Sequence, residues 1–141
     1  MMIKQLSVFL ENKSGRLNEV LDILGQADIR IIAATVADTS EYGILRLITS
    51  DTASAYEVLK EHRVSAQQSD VVALTCNSKA GVFASQINSF AKEGLSIEYM
   101  YCFSISDKAF LILRTSDNAR VDEIAQHYGL SIITEQELLQ L

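Results

Sequence analysis

Leu47-Ile48-Thr49-Ser50-Asp51-Thr52-Ala53 returns 66 positions later as Leu113-Arg114-Thr115-Ser116-Asp117-Asn118-Ala119. The offset holds outward from that stretch in both directions. Downstream, Glu57 meets Glu123. Upstream, Leu45 meets Leu111, Ile31 meets Ile97, Gly15 meets Gly81 and Lys13 meets Lys79. No insertion interrupts the match over residues 13–57. Chance seldom produces a gapless repeat of this length, so the chain is two copies of one small supersecondary unit. Its function has to be one that a doubled unit performs.

The 141 residues divide naturally at 69/70. Units of that size are marginal alone and gain by packing on a partner. A hydrophobic fraction of 48% is enough for a core and excludes a disordered chain. No apolar run approaches the ~20 residues of a membrane span, and residues 1–10 lack the basic and apolar regions of a signal peptide. The expectation is a cytoplasmic protein with no membrane role. The net charge of −6 comes with no basic stripe, which argues against nucleic acid. Cys76 and Cys102 stand in apolar strand-like segments without a C-x-x-C motif. They are expected to be buried thiols rather than a disulfide or metal ligands.

Along the first copy, Ile3, Leu6, Val8 and Phe9 alternate with polar residues over 3–10 and predict a strand. Asn12-Lys13-Ser14-Gly15 breaks that pattern. Leu17, Val20, Leu21 and Leu24 then follow at helical spacing, so a helix is expected over 15–27, with Ser14 as its N-cap. Residues 29–37 and 42–49 read as strands around a turn at 38–41. Ser50 and Asp51 offer caps for a second helix that turns Tyr56 and Leu59 inward. A short strand over 64–68 completes the order β-α-β-β-α-β.

The second copy keeps that order. Strands are expected over 71–76, 95–105, 109–115 and 130–133. Phe83, Ile87, Phe90 and Ala91 line its first helix, and Val121, Ile124, Ala125 and Tyr128 its second. Thr134 and Glu137 fit a capping box for a short terminal helix. Gln67-Gln68-Ser69-Asp70 is the polar junction between copies. The fold class is therefore α+β: two tandem ferredoxin-like sandwiches, 1–69 and 70–141, each an antiparallel sheet with helices on one face. Strand two is a sheet edge in this topology. Its apolar content at 29–37 and 95–105 predicts edge pairing of those strands, within the chain or across a homodimer.

The richest local signal is the turn between first strand and first helix, Glu11-Asn12-Lys13-Ser14-Gly15-Arg16-Leu17. It resembles the ACT family of small regulatory amino-acid-binding domains. Their signature here is Asn or Asp, two residues, Gly, any residue and Leu; Asn12, Gly15 and Leu17 match it. In copy two, Asn77-Ser78-Lys79-Ala80-Gly81-Val82-Phe83 keeps Gly81 and an apolar Phe83. Its Asn falls one position early, with Ser78 aligned to Asn12. Ser14 and Ala80 stand where the family often has Pro.

The chemistry of the turn fits the resemblance. A helix start presents unpaired N–H groups and a positive dipole end, which suit a carboxylate. Glycine lets a ligand approach the backbone closely. The Asn12 amide offers both a donor and an acceptor. The resemblance implies a free amino acid held between one unit's turn and the second strand of its neighbour. One candidate site joins Asn12, Ser14, Gly15, Arg16 and Leu17 to Ser96, Ile97, Glu98, Tyr99 and Met100. The other joins Ser78, Ala80, Gly81, Val82 and Phe83 to Arg30, Ile31 and Ile32. Tyr99 and Tyr101 are expected on one face of their strand, Glu98 and Met100 on the other. Copy one has Ala33-Ala34-Thr35 where copy two has Tyr99-Met100-Tyr101, so the two sites are not equivalent.

Catalysis finds little support. His62 and His127 are not repeat equivalents and have no ligand cluster around them, so neither metal nor cofactor is expected. No nucleophile elbow, phosphate loop or paired-carboxylate motif is present. The expectation is a non-enzymatic sensor of a free amino acid that acts on a regulated enzyme or protein partner. The alternative is an interaction or scaffold module of the same fold without a ligand.

Overall fold

The alternating pattern near the N-terminus forms strand β1 (Ile3–Glu11), which turns Leu6, Val8 and Leu10 to one side. In the computed structural model, residues 2–11, 14–38 and 42–141 are described. After β1 come α1 (Arg16–Gln26), β2 (Ile31–Asp38), β3 (Tyr42–Thr49), α2 (Thr52–Glu61) and β4 (Ala66–Asn77). The chain continues through α3 (Val82–Lys92), β5 (Ile97–Ile105), β6 (Lys108–Thr115), α4 (Ala119–Tyr128), β7 (Ser131–Ile133) and α5 (Glu135–Leu139). Two compact units result. One comprises 4–69 with 139–141, the other 70–138 with 1–3.

In the unit of 4–69 the strands run β2-β3-β1-β4. β3 lies antiparallel to both neighbours, with Leu47 opposite Leu6 and Arg46 opposite Thr35. The Phe9 N–H donates to the Ser65 carbonyl at 3.0 Å just before β4. In the unit of 70–138 the order is β7-β4-β6-β5, with Leu74 opposite both Leu111 and Ile132. Each order is that of the ferredoxin-like βαββαβ sandwich.

The helices bury one face against each sheet, and the same offset of 66 governs what they bury. Leu6, Val8, Leu24, Ile29, Leu45, Leu47 and Ala55 belong to one core. Val72, Leu74, Phe90, Leu95, Leu111, Leu113 and Val121 take those places in the other. Burying each large aliphatic side chain contributes about 1.5–3 kcal/mol. The backbone repeats as well. Gly15 and Gly81 both sit at φ 86°, Asp28 (58°) matches Gly94 (69°), and Arg63 (59°) matches Gly129 (68°). A bulge between Ile31 and Ala33 recurs between Ile97 and Tyr99.

Several sequence expectations need correction. The expected strands at 64–68 and 71–76 are one continuous strand, β4, because Gln67-Gln68-Ser69-Asp70 contains no glycine or proline to interrupt it. Ser14 does not cap α1; Gly15 is the N-cap and no side chain bonds there. Cys76 is half-buried and Cys102 exposed, because β5 is an edge strand that the helices do not cover. Partial burial, with a smaller contribution from Cys102, pushes the Cys76 thiol up. Among the described residues β2 pairs with β3 alone and β5 with β6 alone, so edge pairing is left to a second copy of the chain. The turn expected at 38–41 falls largely outside the described residues.

Two capping expectations do hold. The Glu137 N–H donates to Thr134 Oγ1 at 3.1 Å at the start of α5. Asp51 caps α2, its Oδ1 accepting from the Ser54 N–H at 3.1 Å and its Oδ2 from the Ser54 hydroxyl at 2.8 Å. Those bonds, the backbone one first, hold the Asp51 carboxyl below the usual carboxylate range. A lowered native pKa gives stability that is present above the unfolded value of about 3.9 and lost as pH falls through the native one. Asp51→Ala is therefore expected to lower the melting temperature at pH 7. The gap to the parent should close on acidification below about pH 4. Thermal melts across pH 3–7 check this; a gap independent of pH would contradict it.

Candidate ligand-binding turns

Glycine decides the local geometry at the first turn. Gly15 takes a left-handed conformation, φ 86° and ψ −6°, and its carbonyl accepts the Glu19 N–H at 3.0 Å to start α1. Without a side chain on the cap, the first helical N–H groups have no side-chain partner at Gly15. Ser14, Gly15 and Leu17 are exposed around them and Arg16 is half-buried. Asn12, the residue expected to orient a ligand, lies outside the described residues, as does Lys13.

The second turn reproduces this cap. Gly81 sits at φ 86° and ψ −11°, and its carbonyl accepts from the Ser85 N–H at 3.1 Å. The chain reaches it through an Asx turn, in which Asn77 Oδ1 accepts the Lys79 N–H at 3.1 Å. The one-position shift of the asparagine thus has a structural role. The Ser78 N–H donates to the Asp107 carbonyl at 3.0 Å. A cavity of about 220 Å³ lies here, lined by Ser78, Ala80, Gly81 and Phe83 together with Lys79 and Ser104. Val82, also expected at the site, is half-buried beside them but not in that lining. Ser104 was not expected. It stands at the far end of β5, and only the β5–β6 hairpin brings it to the turn.

The strand residues divide differently. Ile31 and Ile32 begin β2 and are half-buried. Arg30 precedes the strand. Its N–H donates to Ser50 Oγ at 2.9 Å, and Nη2 donates to the Leu139 carbonyl at 3.0 Å. Its guanidinium is thus engaged with the backbone rather than with a carboxylate. Ser96 is exposed just before β5, its carbonyl accepting from the Ser116 N–H at 2.9 Å. Ile97 opposes Thr115 and packs against the second core.

The bulge changes the expected alternation on β5. Tyr99 opposes Arg114, and Glu98 is the extra residue. The extra residue turns its carboxylate to Arg114 Nε at 3.1 Å, on the side of Tyr99 and not with Met100. Met100 opposes Leu113 and remains 39% exposed. Phe103 stacks on Phe110 with ring centres 5.1 Å apart. Among the described residues no three His, Cys, Asp or Glu side chains converge as metal ligands do. No described helix is long and apolar enough to cross a membrane.

A family model for the ACT domain pair matches residues 1–141. The chain belongs to the ACT domain family. This ACT domain pair is similar throughout to a solved protein from Bacteroides thetaiotaomicron. The two are 36% identical with a TM-score of 0.95, over 100% of this chain and 98% of that one. The ligand-free regulatory subunit of aspartate kinase from Thermus thermophilus shares the fold at 11% identity and TM-score 0.67, over 89% of each chain. The aspartate kinase regulatory subunit from Thermus flavus does so at 18% and 0.65, over 89% of this chain and 88% of that one. No curated protein matches the sequence significantly. ACT domain pairs are a regulatory family.

Proposed function

We propose that this ACT domain pair binds a free amino acid at the turns that open α1 and α3, and reports its occupancy to an enzyme or other protein partner. One observation carries the reading. Gly15 and Gly81 adopt the same left-handed cap at φ 86°, with no side chain satisfying the helix start. The open N–H groups and the dipole suit a carboxylate, and the absent Cβ leaves room for it. Asn12 orients the ligand at the first turn. The far wall comes from the second strand of an ACT unit in another copy of the chain. Val36, Met100 and Ile105 are all more than a third exposed on the unpaired edge strands, and a homodimer would cover them. Binding that bridges two units favours one packing of their edges, and a partner reads that packing.

A thermal-shift screen with the twenty amino acids tests this, since a ligand that binds only the native state raises its melting temperature. One amino acid or a small group should do so. Asn12→Ala should then weaken binding by calorimetry, because one hydrogen bond to a charged group is lost, about 1.5–3 kcal/mol. Unchanged affinity moves the site to the second turn. If no amino acid shifts the melt, the ligand-free interaction module is the better reading.

A further inference from the structure

In the unit of 4–69 a cavity of about 330 Å³ opens between the end of β1, the first turns of α1 and the loop from α2 to β4. Its floor is apolar and buried, formed by Leu10 and Val20. Its rim carries both signs of charge, with Glu11, Arg16, Glu19 and Arg63 around it. Arg16 is engaged: Nη1 donates to Glu19 Oε2 at 2.9 Å, and Nη2 lies 3.7 Å from Glu11 Oε1. Arg63 differs. Its N–H closes on the Lys60 carbonyl at 3.0 Å and the Val64 N–H on the Leu59 carbonyl at 2.9 Å, which fixes the loop. Its guanidinium makes no ion pair or side-chain hydrogen bond among the described residues.

The second copy serves as an internal control. Glu11, Arg16, Glu19 and Arg63 correspond at the repeat offset to Asn77, Val82, Ser85 and Gly129. All four charges are absent there, although the core positions are kept. Gly129 meets the left-handed backbone without strain, whereas Arg63 holds the same conformation against its own Cβ. The shared fold therefore does not require this charged rim, which belongs to the first copy alone.

We infer that this cleft is a second small-molecule site, and that it takes a zwitterion of amino-acid size with an apolar side chain. The ligand's side chain rests on Leu10 and Val20. Its carboxylate pairs with Arg63, and its ammonium sits by Glu11 and Glu19, whose charge Arg16 offsets only in part. The two cations and two anions of the rim cancel. A dipolar ligand is matched by such a rim, while a simple anion or cation meets like charges on one side. The volume is at the low end of the roughly 300–1,000 Å³ of small-molecule pockets, room for one small molecule. The site is built from side chains of a single unit and is separate from the helix-opening N–H groups proposed above.

Calorimetric titration of the full chain with L-leucine and L-phenylalanine tests the inference. 4-Methyl-2-oxopentanoate, which lacks the ammonium, and 3-methylbutylamine, which lacks the carboxylate, serve as half-ligands. At least one amino acid should bind, and both half-ligands more weakly. Arg63→Gly retains the backbone seen at Gly129, so it should fold while binding about tenfold or more weakly. Glu19→Gln should also weaken binding, and Asn12→Ala should leave it unchanged. The inference is overturned if neither amino acid binds, if Arg63→Gly and Glu19→Gln bind as the parent does, or if Asn12→Ala alone abolishes binding. Repeating the thermal-shift screen on Arg63→Gly separates the two sites: a shift that survives there belongs to the turns.

Discussion

Phe90→Ala is expected to lower the unfolding free energy by about 3–5 kcal/mol. The ring is fully buried, in the core formed with Val72, Leu74, Leu111 and Leu113. A packed interior relaxes only partly around a lost side chain, so the cost adds a cavity to the lost transfer energy. The repeat supplies a graded control. Leu24 occupies the matching place in the other core and is also fully buried. Phe90→Leu imports that solution and should cost much less than alanine. It should not be free, because the neighbouring positions differ too, Val121 standing for Ala55. Urea unfolding of the three proteins measures the series. A loss below about 1 kcal/mol for Phe90→Ala would mean that the ring does not organise this core.

Gly15→Ala and Gly81→Ala are each expected to cost about 1–2 kcal/mol, the penalty of a left-handed L-residue. At both positions an added Cβ meets nothing within 4 Å. Crowding by the protein therefore adds nothing, and backbone strain at φ 86° is the whole effect. Gly81→Asn should lose less than Gly81→Ala, since asparagine tolerates this region better. Denaturant midpoints for these variants decide the point. If alanine were tolerated without loss at both turns, conformation would not be what the glycines serve there.

Much of the architecture was legible because the chain states it twice. Leu45 and Leu47 against Leu111 and Leu113 gave the second central strand, and the glycine pair located both helix starts. Elements were misread where the decisive information is not local. Nothing in Gln67-Gln68-Ser69-Asp70 marks the middle of a strand; polar residues there look like a linker until their pairing partners are known. Cys102 looked buried from its apolar neighbours, but burial depends on whether a helix lies above that strand. The lining of the second turn by Ser104 depends on hairpin closure, which sequence spacing does not express. Arg63 gave only one signal, visible once the copies are aligned: a large charged residue at a position where the other copy has glycine.

The paired bulges at 31–33 and 97–99 bear on how far assembly can proceed. Each interrupts the regular hydrogen-bond spacing of an edge strand near its start. An incoming strand can therefore form a regular ladder only beyond the bulge, over about 33–38 or 99–105. At the second bulge, Glu98 adds a charge beside the break. Short, interrupted and partly charged edges are poor templates for open-ended strand addition. The protein can thus keep sticky strands for a finite complex while resisting growth into fibrils.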